Sequence, residues 1–236
     1  MARRGLGRAR IVDGEGAVGS GGARALTASV AGVTPGPRTG ERLGIFGGTF
    51  DPPHVGHLVT AVNVRYELLL DRVLLVVADR PWQKVGTRDI SPAEDRLAMV
   101  EAAVGDAEGL EASRIELDRG GMSYTADTLS ELLAGDETRQ LYVILGSDAA
   151  VGLPGWERAD EVRALSTIVV VERPGSAEGL PPPGWSWVRV EVPRLEVSST
   201  DLRARVVDGR PLDYLLSPAV IDTIQRRGLY REPVAR

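Results

Sequence analysis

From Leu43 onward the chain alternates short apolar runs, rich in Val, Ile and Leu, with longer segments whose apolar residues recur at helical spacing. The runs predict a first strand that ends near Phe46 and further strands at residues 73–78, 113–117, 141–145, 167–171 and 187–192. The periodic segments predict helices at about 57–70, 92–104, 125–134 and 156–164. Because strands that are apolar along their whole length must be covered on both faces, this alternation predicts an α/β fold with a doubly wound parallel sheet.

The first predicted strand ends at paired glycines, Gly47 and Gly48, and a turn then leads to a helix that begins near His54 and His57. In a Rossmann-like sheet of this kind, ligands bind beyond the carboxyl ends of the strands, where the strand order reverses. Glycines there let a phosphate approach the backbone without meeting a Cβ atom. The first N–H groups of a helix have no partner within the helix and favour an anion. Since the chain has only two histidines and both lie here, the segment predicts a phosphate site.

Two other interpretations of this segment stay open at this point. A Gly-Gly turn between a strand and a helix is often only a tight connection. His54 and His57, three residues apart, could also bind a metal ion with Asp51 as a third ligand. The segment contains neither the H-E-x-x-H pattern of zinc enzymes, nor the Gly-Lys-Ser/Thr of a P-loop, nor the G-x-G-x-x-G of dinucleotide-binding folds. Phosphate binding is therefore favoured, and we expect no metal site made by the protein.

A second candidate anion site lies near the C-terminus, between Val197 and Arg203. Ser and Thr are strong N-cap residues, and Leu202, Val206 and Val207 give the following helix an apolar face. Arg203 falls near the start of that helix, where its guanidinium can bind a phosphate in a forked geometry beside the first N–H groups. Taken alone, Ser-Thr before a helix is most often a cap and nothing more.

Residues 1–42 differ from the rest of the chain in composition. They hold seven arginines against three acidic residues, although the whole chain carries a formal charge of −5. This segment is rich in Gly, Ala and Ser and has no sustained apolar periodicity, so it buries too little to offset the entropy of ordering. It also lacks the apolar core of a secretory signal. We predict a disordered extension, or a start assigned too far upstream, followed by a single domain at 43–236.

The composition excludes several classes of protein. Cysteine is absent, which leaves out disulfide frameworks, zinc–thiolate sites and thiol nucleophiles. No apolar run approaches the ~20 residues that span a bilayer. The negative net charge argues against a general nucleic-acid-binding protein, because such proteins present a basic face. We expect a cytoplasmic enzyme without membrane or nucleic-acid partners, and the sequence leaves open whether it forms a homo-oligomer.

Two motifs resemble those of one enzyme family. The run GGTFDPPHVGH resembles the signature of nucleotidyltransferases with a His-x-Gly-His motif, and most of all the nicotinate-mononucleotide adenylyltransferases of bacteria. The run VSSTDLR is similar to the Ile-Ser-Ser-Thr-x-Ile-Arg motif with which this superfamily holds ATP phosphates. The resemblance implies that His54, His57 and Arg203 are catalytic. It implies an ATP site that consists of Gly47, Gly48, Thr49, Phe50, His54, Gly56, His57, Ser199, Thr200 and Arg203.

Three further segments resemble the pyridine-nucleotide site of this family: PWQK at 81–84, MSYTADTL at 122–129, and GSD at 146–148 with a tryptophan at 156. They imply that Lys84 reaches a substrate phosphate, and that Thr125 caps a helix whose first N–H groups face the substrate next to Tyr124. In the family, the aspartate matched by Asp148 contacts nucleotide hydroxyls. The tryptophan matched by Trp156 stacks on the nicotinate ring, which suits an electron-poor pyridinium.

The resemblance implies adenylyl transfer from ATP to nicotinate mononucleotide, whose phosphate attacks the α-phosphorus while pyrophosphate leaves. A phosphate monoester is largely ionised at neutral pH, so the reaction needs no general base. The site has to position two nucleotides and neutralise their charge. Mg²⁺ that arrives with ATP is the one cofactor implied. The alternatives are transfer to nicotinamide mononucleotide, phosphopantetheine or a cytidyl substrate, a non-catalytic nucleotide-binding module, and a metal-dependent hydrolase.

Overall fold

The structure, a computed structural model, describes residues 10–11, 40–81, 90–172 and 179–231. Over these residues the chain forms seven β-strands: β1 (Arg10–Ile11), β2 (Arg42–Gly48), β3 (Arg72–Val77), β4 (Leu110–Ser113), β5 (Gln140–Gly146), β6 (Ser166–Glu172) and β7 (Trp187–Glu191). The same residues form eight α-helices: α1 (Val55–Glu67), α2 (Ala93–Val104), α3 (Ile115–Arg119), α4 (Thr125–Gly135), α5 (Ser147–Val151), α6 (Ala159–Leu165), α7 (Ser199–Asp208) and α8 (Pro218–Arg227). Within this described part, none of the helices combines the length and apolar character that crossing a membrane requires.

The strands join in one sheet in the order β1-β7-β6-β5-β2-β3-β4. Neighbouring strands from β7 through β4 run parallel, and the two-residue β1 pairs antiparallel with β7. The chain moves outward from β2 to β3 and β4, and then returns to the other side of β2 to form β5, β6 and β7. The strand order therefore reverses between β2 and β5. This arrangement confirms the predicted α/β fold with a Rossmann-like, doubly wound parallel sheet.

The described part of the predicted N-terminal extension contributes to the sheet at two places. The strand β1 lies inside the segment predicted to be disordered and pairs with β7. The strand β2 begins at Arg42, one residue before the predicted domain boundary. Residues 1–9 and 12–39 lie outside the described residues, so the disorder predicted for them stays a prediction.

One predicted strand is wrong. Residues Leu110–Ser113 form the strand β4, which pairs in parallel with β3, whereas the strand was expected at 113–117. Residues Ile115–Arg119 form a helix instead. Arg114, just before this helix, forms an ion pair with Asp118 four residues later, and the distance from Arg114 Nε to Asp118 Oδ1 is 2.7 Å. Apolar and polar residues alternate over only four positions here, a run too short to distinguish a helix from a strand.

The four predicted helices are present, and one begins later than expected. Helix α6 starts at Ala159 and not at residue 156. The reason lies in the backbone before it: Trp156 is extended (φ −75°, ψ 147°), and Arg158 is left-handed (φ 51°, ψ 47°). Trp156 therefore stands in a loop after the carboxyl end of β5, which is where a ligand-contacting side chain is expected in this fold.

Helices cover both faces of the sheet. Helices α1 and α2 pack on one face, where Val64 and Val100 are fully buried against the strands. Helices α4, α5 and α6 cover the other face through residues such as Leu129 and Val162. A third core joins α2 to α7 and α8 and consists of Met99, Leu202, Leu216, Val220, Ile224 and Leu229. Since α7 is fixed by this third core, residues near both ends of the described chain meet at the carboxyl end of β2.

Candidate active site

The end of β2 and the turn after it carry the first predicted phosphate-binding residues. A Cβ atom at Gly48 would lie 2.8 Å from the ring of Phe50, so packing requires glycine there. A Cβ atom at Gly47 would meet no atom within 4 Å and would point into open space. Phe50 is buried and has φ +50°, a left-handed conformation that is costly for a residue other than glycine. Its ring packs edge-on against His57, with centroids 5.1 Å apart, and this contact supports the turn.

His54 and His57 lie at the start of α1, with His54 as the N-cap residue. Their rings stack, with centroids 3.7 Å apart and planes inclined by 25°. The backbone N–H of His54 donates a hydrogen bond to Nδ1 of His57 at 3.1 Å. A neutral His57 ring therefore carries its proton on Nε2, where it is a hydrogen-bond donor. A Cβ atom at Gly56 would lie 3.1 Å from His54 Nδ1, so this glycine leaves room for the ring.

The second motif comes to the same place from the other end of the chain. Ser198 is the N-cap residue of α7, and its hydroxyl accepts a hydrogen bond from the Asp201 N–H at 3.2 Å. The hydroxyl of Ser199 donates to the backbone carbonyl of Pro52, 2.8 Å away in the turn after β2. Arg203 donates from Nη1 to the carbonyl of Asp51 at 2.7 Å. The start of α7 is thus bonded directly to the turn before α1.

The two motifs line one cavity of about 400 Å³, which we call the histidine cavity. Its lining residues include His54, His57, Ser199, Thr200 and Arg203, together with Gly48, Thr49 and Phe50. The predicted ATP residues outside this lining lie next to it, because Gly47 precedes Gly48 and Gly56 lies beneath the His54 ring. A guanidinium, two imidazoles and four hydroxyl-bearing residues therefore line a volume that suits a polyanion.

A second cavity of about 300 Å³, here called the tryptophan cavity, lies at the switch point between β2 and β5. It is lined by the ends of these strands, by Trp156, and by Thr125 at the start of α4. Gly48 and Thr49 line both the tryptophan cavity and the histidine cavity. The two cavities are therefore neighbours that share a wall at the end of β2.

The predicted pyridine-nucleotide residues are distributed unevenly around the tryptophan cavity. Trp156 and Thr125 line it, whereas Tyr124 is half-buried and Asp148 is exposed next to it. The carboxylate of Asp148 lies over Gly146, a lining residue, with Oδ1 2.7 Å from the place a Gly146 Cβ would occupy. Lys84 lies outside the described residues.

The expected helix cap at Thr125 is wrong. Tyr124 is the N-cap residue of α4, with an extended backbone (φ −106°, ψ 126°), and Thr125 is the first helical residue. The Tyr124 side chain makes no cap hydrogen bond. The first N–H groups of this helix accordingly lack a side-chain cap and stand beside the tryptophan cavity, where they can receive an anionic group.

Arg96 contributes to the site, although the sequence indicated for it only a structural part at the start of a helix. It is 1% exposed, and its guanidinium donates four hydrogen bonds to backbone carbonyls. The acceptors are Thr49, Ala78, Asp79 and Ser91, at 3.1, 2.6, 3.1 and 2.8 Å. Arg96 thus ties the turn after β2 to the segment after β3. The available signal was the run SPAEDRL at 91–97, which resembles the Glu-x-Arg opening of a helix in this family.

Glu116 was also missed by the sequence. It is buried in the wall of the tryptophan cavity, and its Oε1 accepts a hydrogen bond from the Thr128 hydroxyl at 3.0 Å. Burial raises the pKa of this carboxyl, although hydrogen bonds from Ser123 and Thr128 and the charge of Arg119 act in the opposite direction. The ionised form of Glu116 is therefore disfavoured by burial, close to the place where a substrate is expected.

The alternative metal site, with His54, His57 and Asp51 as ligands, is not supported by the positions of these side chains. Among the described residues, no group of three or more His, Cys, Asp or Glu side chains is placed to hold a metal ion. The Asp51 carboxylate is 1% exposed and accepts a hydrogen bond from the Tyr230 hydroxyl at 2.8 Å. Apart from Asp51, the polar groups that line the histidine cavity are a guanidinium, two imidazoles and hydroxyls, which suit phosphate oxygens.

Known proteins resemble this chain along most of its length. A family described as cytidylyltransferase-like matches residues 45–205. A probable nicotinate-nucleotide adenylyltransferase of Roseiflexus sp. strain RS-1 is 46% identical over 196 residues, which are 80% of this chain and 98% of that protein. One of Streptomyces coelicolor with the same name is 44% identical over 188 residues, 78% of this chain and 98% of its own length.

Solved structures agree on the fold. The Plasmodium falciparum nicotinic acid mononucleotide adenylyltransferase, complexed with NaAD, superposes with a TM-score of 0.66 at 17% identity. The match covers 80% of this chain and 97% of that one. At this identity the likeness concerns the fold alone, whereas the bacterial relatives share sequence along nearly their whole length. The chain therefore belongs to the nicotinate-nucleotide adenylyltransferase family of cytidylyltransferase-like proteins.

Proposed function

We propose that this chain transfers the adenylyl group of ATP to nicotinate mononucleotide, giving nicotinate adenine dinucleotide and pyrophosphate. The observation that carries this proposal is the shared wall of the two cavities at Gly48 and Thr49. A triphosphate in the histidine cavity and a pyridine nucleotide in the tryptophan cavity would meet at this wall. That is where an attacking phosphate has to come close to the α-phosphorus of ATP.

The reaction requires correct positioning of the two nucleotides and stabilisation of their charge, and it does not require a general base. An oxygen of the mononucleotide phosphate forms a bond to the α-phosphorus, and the bond from that phosphorus to the bridging oxygen of pyrophosphate breaks. The attacking phosphate is already ionised near neutral pH, so no proton has to be removed from it. What remains is to hold the reactants in line and to stabilise the charge on the transferring and leaving groups.

The lining of the histidine cavity offers groups for this task. His54 and His57 are proposed to donate to the α- and β-phosphates beside the backbone of Gly47, Gly48 and the start of α1. Arg203, with the hydroxyls of Ser199 and Thr200, is proposed to hold the β- and γ-phosphates. Arg203 fits this role because two hydrogen bonds, to the Asp51 carbonyl and the Thr200 hydroxyl, hold its guanidinium at the edge of the cavity. A fixed donor loses little entropy when the ligand binds.

The pyridine nucleotide is proposed to lie in the tryptophan cavity. Trp156 would present an aromatic face to the pyridinium ring. The first N–H groups of α4, from Tyr124 and Thr125 onward, would receive the nicotinate carboxylate. Asp148 would bind the nucleotide hydroxyls, and Lys84 would contact a substrate phosphate.

Mg²⁺ is proposed to enter with ATP, held by the phosphates of the nucleotide. It would neutralise charge on the triphosphate that the protein's own cations leave uncompensated. The names of the bacterial relatives and the NaAD complex of the Plasmodium falciparum protein support the same substrates. We further propose that residues 43–236 supply every catalytic and substrate-binding group, that residues 1–42 take no part in the reaction, and that the protein works in the cytoplasm on free nucleotides.

The decisive experiment mixes the purified protein with ATP, Mg²⁺ and one acceptor at a time, and measures pyrophosphate and the dinucleotide product. The acceptors are nicotinate mononucleotide, nicotinamide mononucleotide, phosphopantetheine and no acceptor. We expect pyrophosphate and nicotinate adenine dinucleotide in equal amounts, with the nicotinate substrate fastest. Turnover only with another acceptor would refute the proposed substrate. Phosphate release without acceptor would favour a hydrolase, and nucleotide binding without any product would favour a binding module.

A further inference from the structure

Tyr230, close to the end of the described chain, reaches the turn between β2 and α1. Its hydroxyl donates a hydrogen bond to Oδ1 of Asp51 at 2.8 Å, across 179 positions of sequence. Asp51 is 1% exposed, so its carboxylate depends on donors from the protein. Burial, followed by the negative charge of Asp51, raises the pKa of the Tyr230 hydroxyl, which keeps it a donor at physiological pH.

Asp51 links Tyr230 to a proposed catalytic residue. While its side chain accepts from Tyr230, its backbone carbonyl accepts from Arg203 Nη1 at 2.7 Å. The two bonds act on opposite ends of one residue, so a shift of the Asp51 carboxylate moves the carbonyl that holds Arg203. Asp51 and Arg203 both line the histidine cavity.

The C-terminal core holds Tyr230 in position for this contact. Helix α8 ends at Arg227 and is capped by Gly228 in a left-handed conformation (φ 62°). Leu229 is buried with Ile224 and Met99 in the third core. Tyr230 itself has φ +62°, which is uncommon for a residue other than glycine. Such a conformation persists where the surrounding packing fixes it, and here it directs the ring toward Asp51.

We propose that Tyr230 is a positioning residue for adenylyl transfer: its hydroxyl fixes Asp51 so that the Asp51 carbonyl holds the Arg203 guanidinium in the histidine cavity. This inference rests on the proposed function. Loss of the hydroxyl leaves the buried carboxylate without this donor, and the turn then relaxes around Asp51. The guanidinium shifts with the turn, and a small displacement of a catalytic group costs up to about 100-fold in rate.

The test is a double-mutant cycle with Tyr230→Phe and Arg203→Lys. We expect Tyr230→Phe to lower kcat roughly 10- to 100-fold and to leave the KM for nicotinate mononucleotide within about twofold, because the tryptophan cavity is untouched. In the Arg203→Lys background, the same substitution should cost less than about twofold, since lysine cannot make the forked contact that Tyr230 supports. Tyr214→Phe is the matched control, because Tyr214 is 95% exposed, and it should leave kcat unchanged.

Equal fractional losses of kcat in both backgrounds would overturn the inference, as would an unchanged kcat in Tyr230→Phe. If Tyr230→Phe does not fold, Asp51→Asn with Tyr230→Phe is compared with Asp51→Asn alone. The neutral amide tolerates the lost donor better than a buried carboxylate does. In this Asp51→Asn pair, adding Tyr230→Phe should lower kcat when Arg203 is present and should have no effect when Arg203→Lys is also present. A loss of kcat that persists with Arg203→Lys refutes the inference. Absence of product from the unaltered protein would instead refute the proposed function.

Discussion

The imidazole rings of His54 and His57 stack with their centroids 3.7 Å apart, at the first turn of α1 and at the edge of one cavity. The stack depends on Gly56, which leaves room for the His54 ring, and on Phe50, whose edge supports His57. Two imidazole rings therefore line the same cavity with little freedom to move. A pair of donors fixed in advance stabilises charge that develops during a reaction more effectively than mobile groups do.

His57→Ala should lower kcat by about 100- to 1,000-fold and change the KM for ATP only a few-fold. The reason is that a donor aimed at developing charge acts mainly in the transition state. Steady-state kinetics of pyrophosphate release measure both constants. Val62→Ala serves as the control, because Val62 lies on the same helix with 46% of its surface exposed. A kcat for His57→Ala equal to that of the control would remove the role given to His57.

Trp156→Ala should raise the KM for nicotinate mononucleotide about tenfold and leave the KM for ATP nearly unchanged. Trp156 lines the tryptophan cavity and not the histidine cavity, and an aromatic face over a cationic ring contributes on the order of 1 kcal/mol. Initial rates at varied concentrations of each substrate separate the two constants. Trp156→Phe, which keeps an aromatic face, should recover part of the affinity. Equal increases of both KM values would mean that Trp156 only supports the fold.

Arg96→Met should reduce the free energy of unfolding by more than about 3 kcal/mol, because four buried carbonyls lose a charged donor together. Urea denaturation followed by circular dichroism measures this change. Arg226→Met is the matched control, since Arg226 forms a surface ion pair with Asp222 and should cost less than about 1 kcal/mol. Similar midpoints for the two variants would contradict the role assigned to the buried guanidinium.

Glu116→Gln should remove a pH dependence of stability. Because burial raises the pKa of Glu116 in the folded protein, the native state binds this proton more tightly than the unfolded state does. The contribution of Glu116 to the free energy of unfolding is fully present at a pH below the ordinary pKa of a glutamate. It is lost as the pH rises through the raised pKa of the folded state. Relative to the unaltered protein, Glu116→Gln should therefore gain stability as the pH rises through that window.

Thermal unfolding across this pH range tests the Glu116 prediction. Glu131→Gln provides the comparison, because Glu131 is half-exposed and pairs with Arg119, the residue that also lies near Glu116. Glu131→Gln should keep the pH dependence that Glu116 contributes. A Glu116→Gln curve parallel to that of the unaltered protein would mean that the Glu116 carboxyl does not titrate differently on folding.

Much of the fold follows from local pattern. The apolar runs that became β3, β5, β6 and β7 are visible because a strand buried on both faces needs apolar side chains at nearly every position. The exception is β4, where only Leu110 is fully buried and the pattern gives no clear start. The strand was therefore predicted to start three residues too late and to extend into residues that form α3.

Some residues of the candidate site were also predictable from local sequence, whereas others were not. His54, His57, Ser199, Thr200 and Arg203 were predicted because each belongs to a contiguous run that resembles a motif of the family. Thr125 was expected as a cap, but the backbone placed Tyr124 at that position. The contacts that Arg96, Glu116 and Tyr230 make at the site were not predicted, because their partners are distant in sequence. Tyr230, for example, reaches Asp51 because the packing of the third core places it there.

The sequence by itself determined the alternation of strands and helices, the glycine turn with its two histidines, and the capped start of α7. These features depend on spacing within a few residues, where backbone geometry converts sequence directly into shape. Only the tertiary structure decided that α7 meets the turn after β2, with Arg203 bonded to Asp51 across 152 positions. It also decided that two cavities share the wall at Gly48 and Thr49. Such contacts arise from the packing of the sheet and the C-terminal core, and distance along the chain carries no information about them.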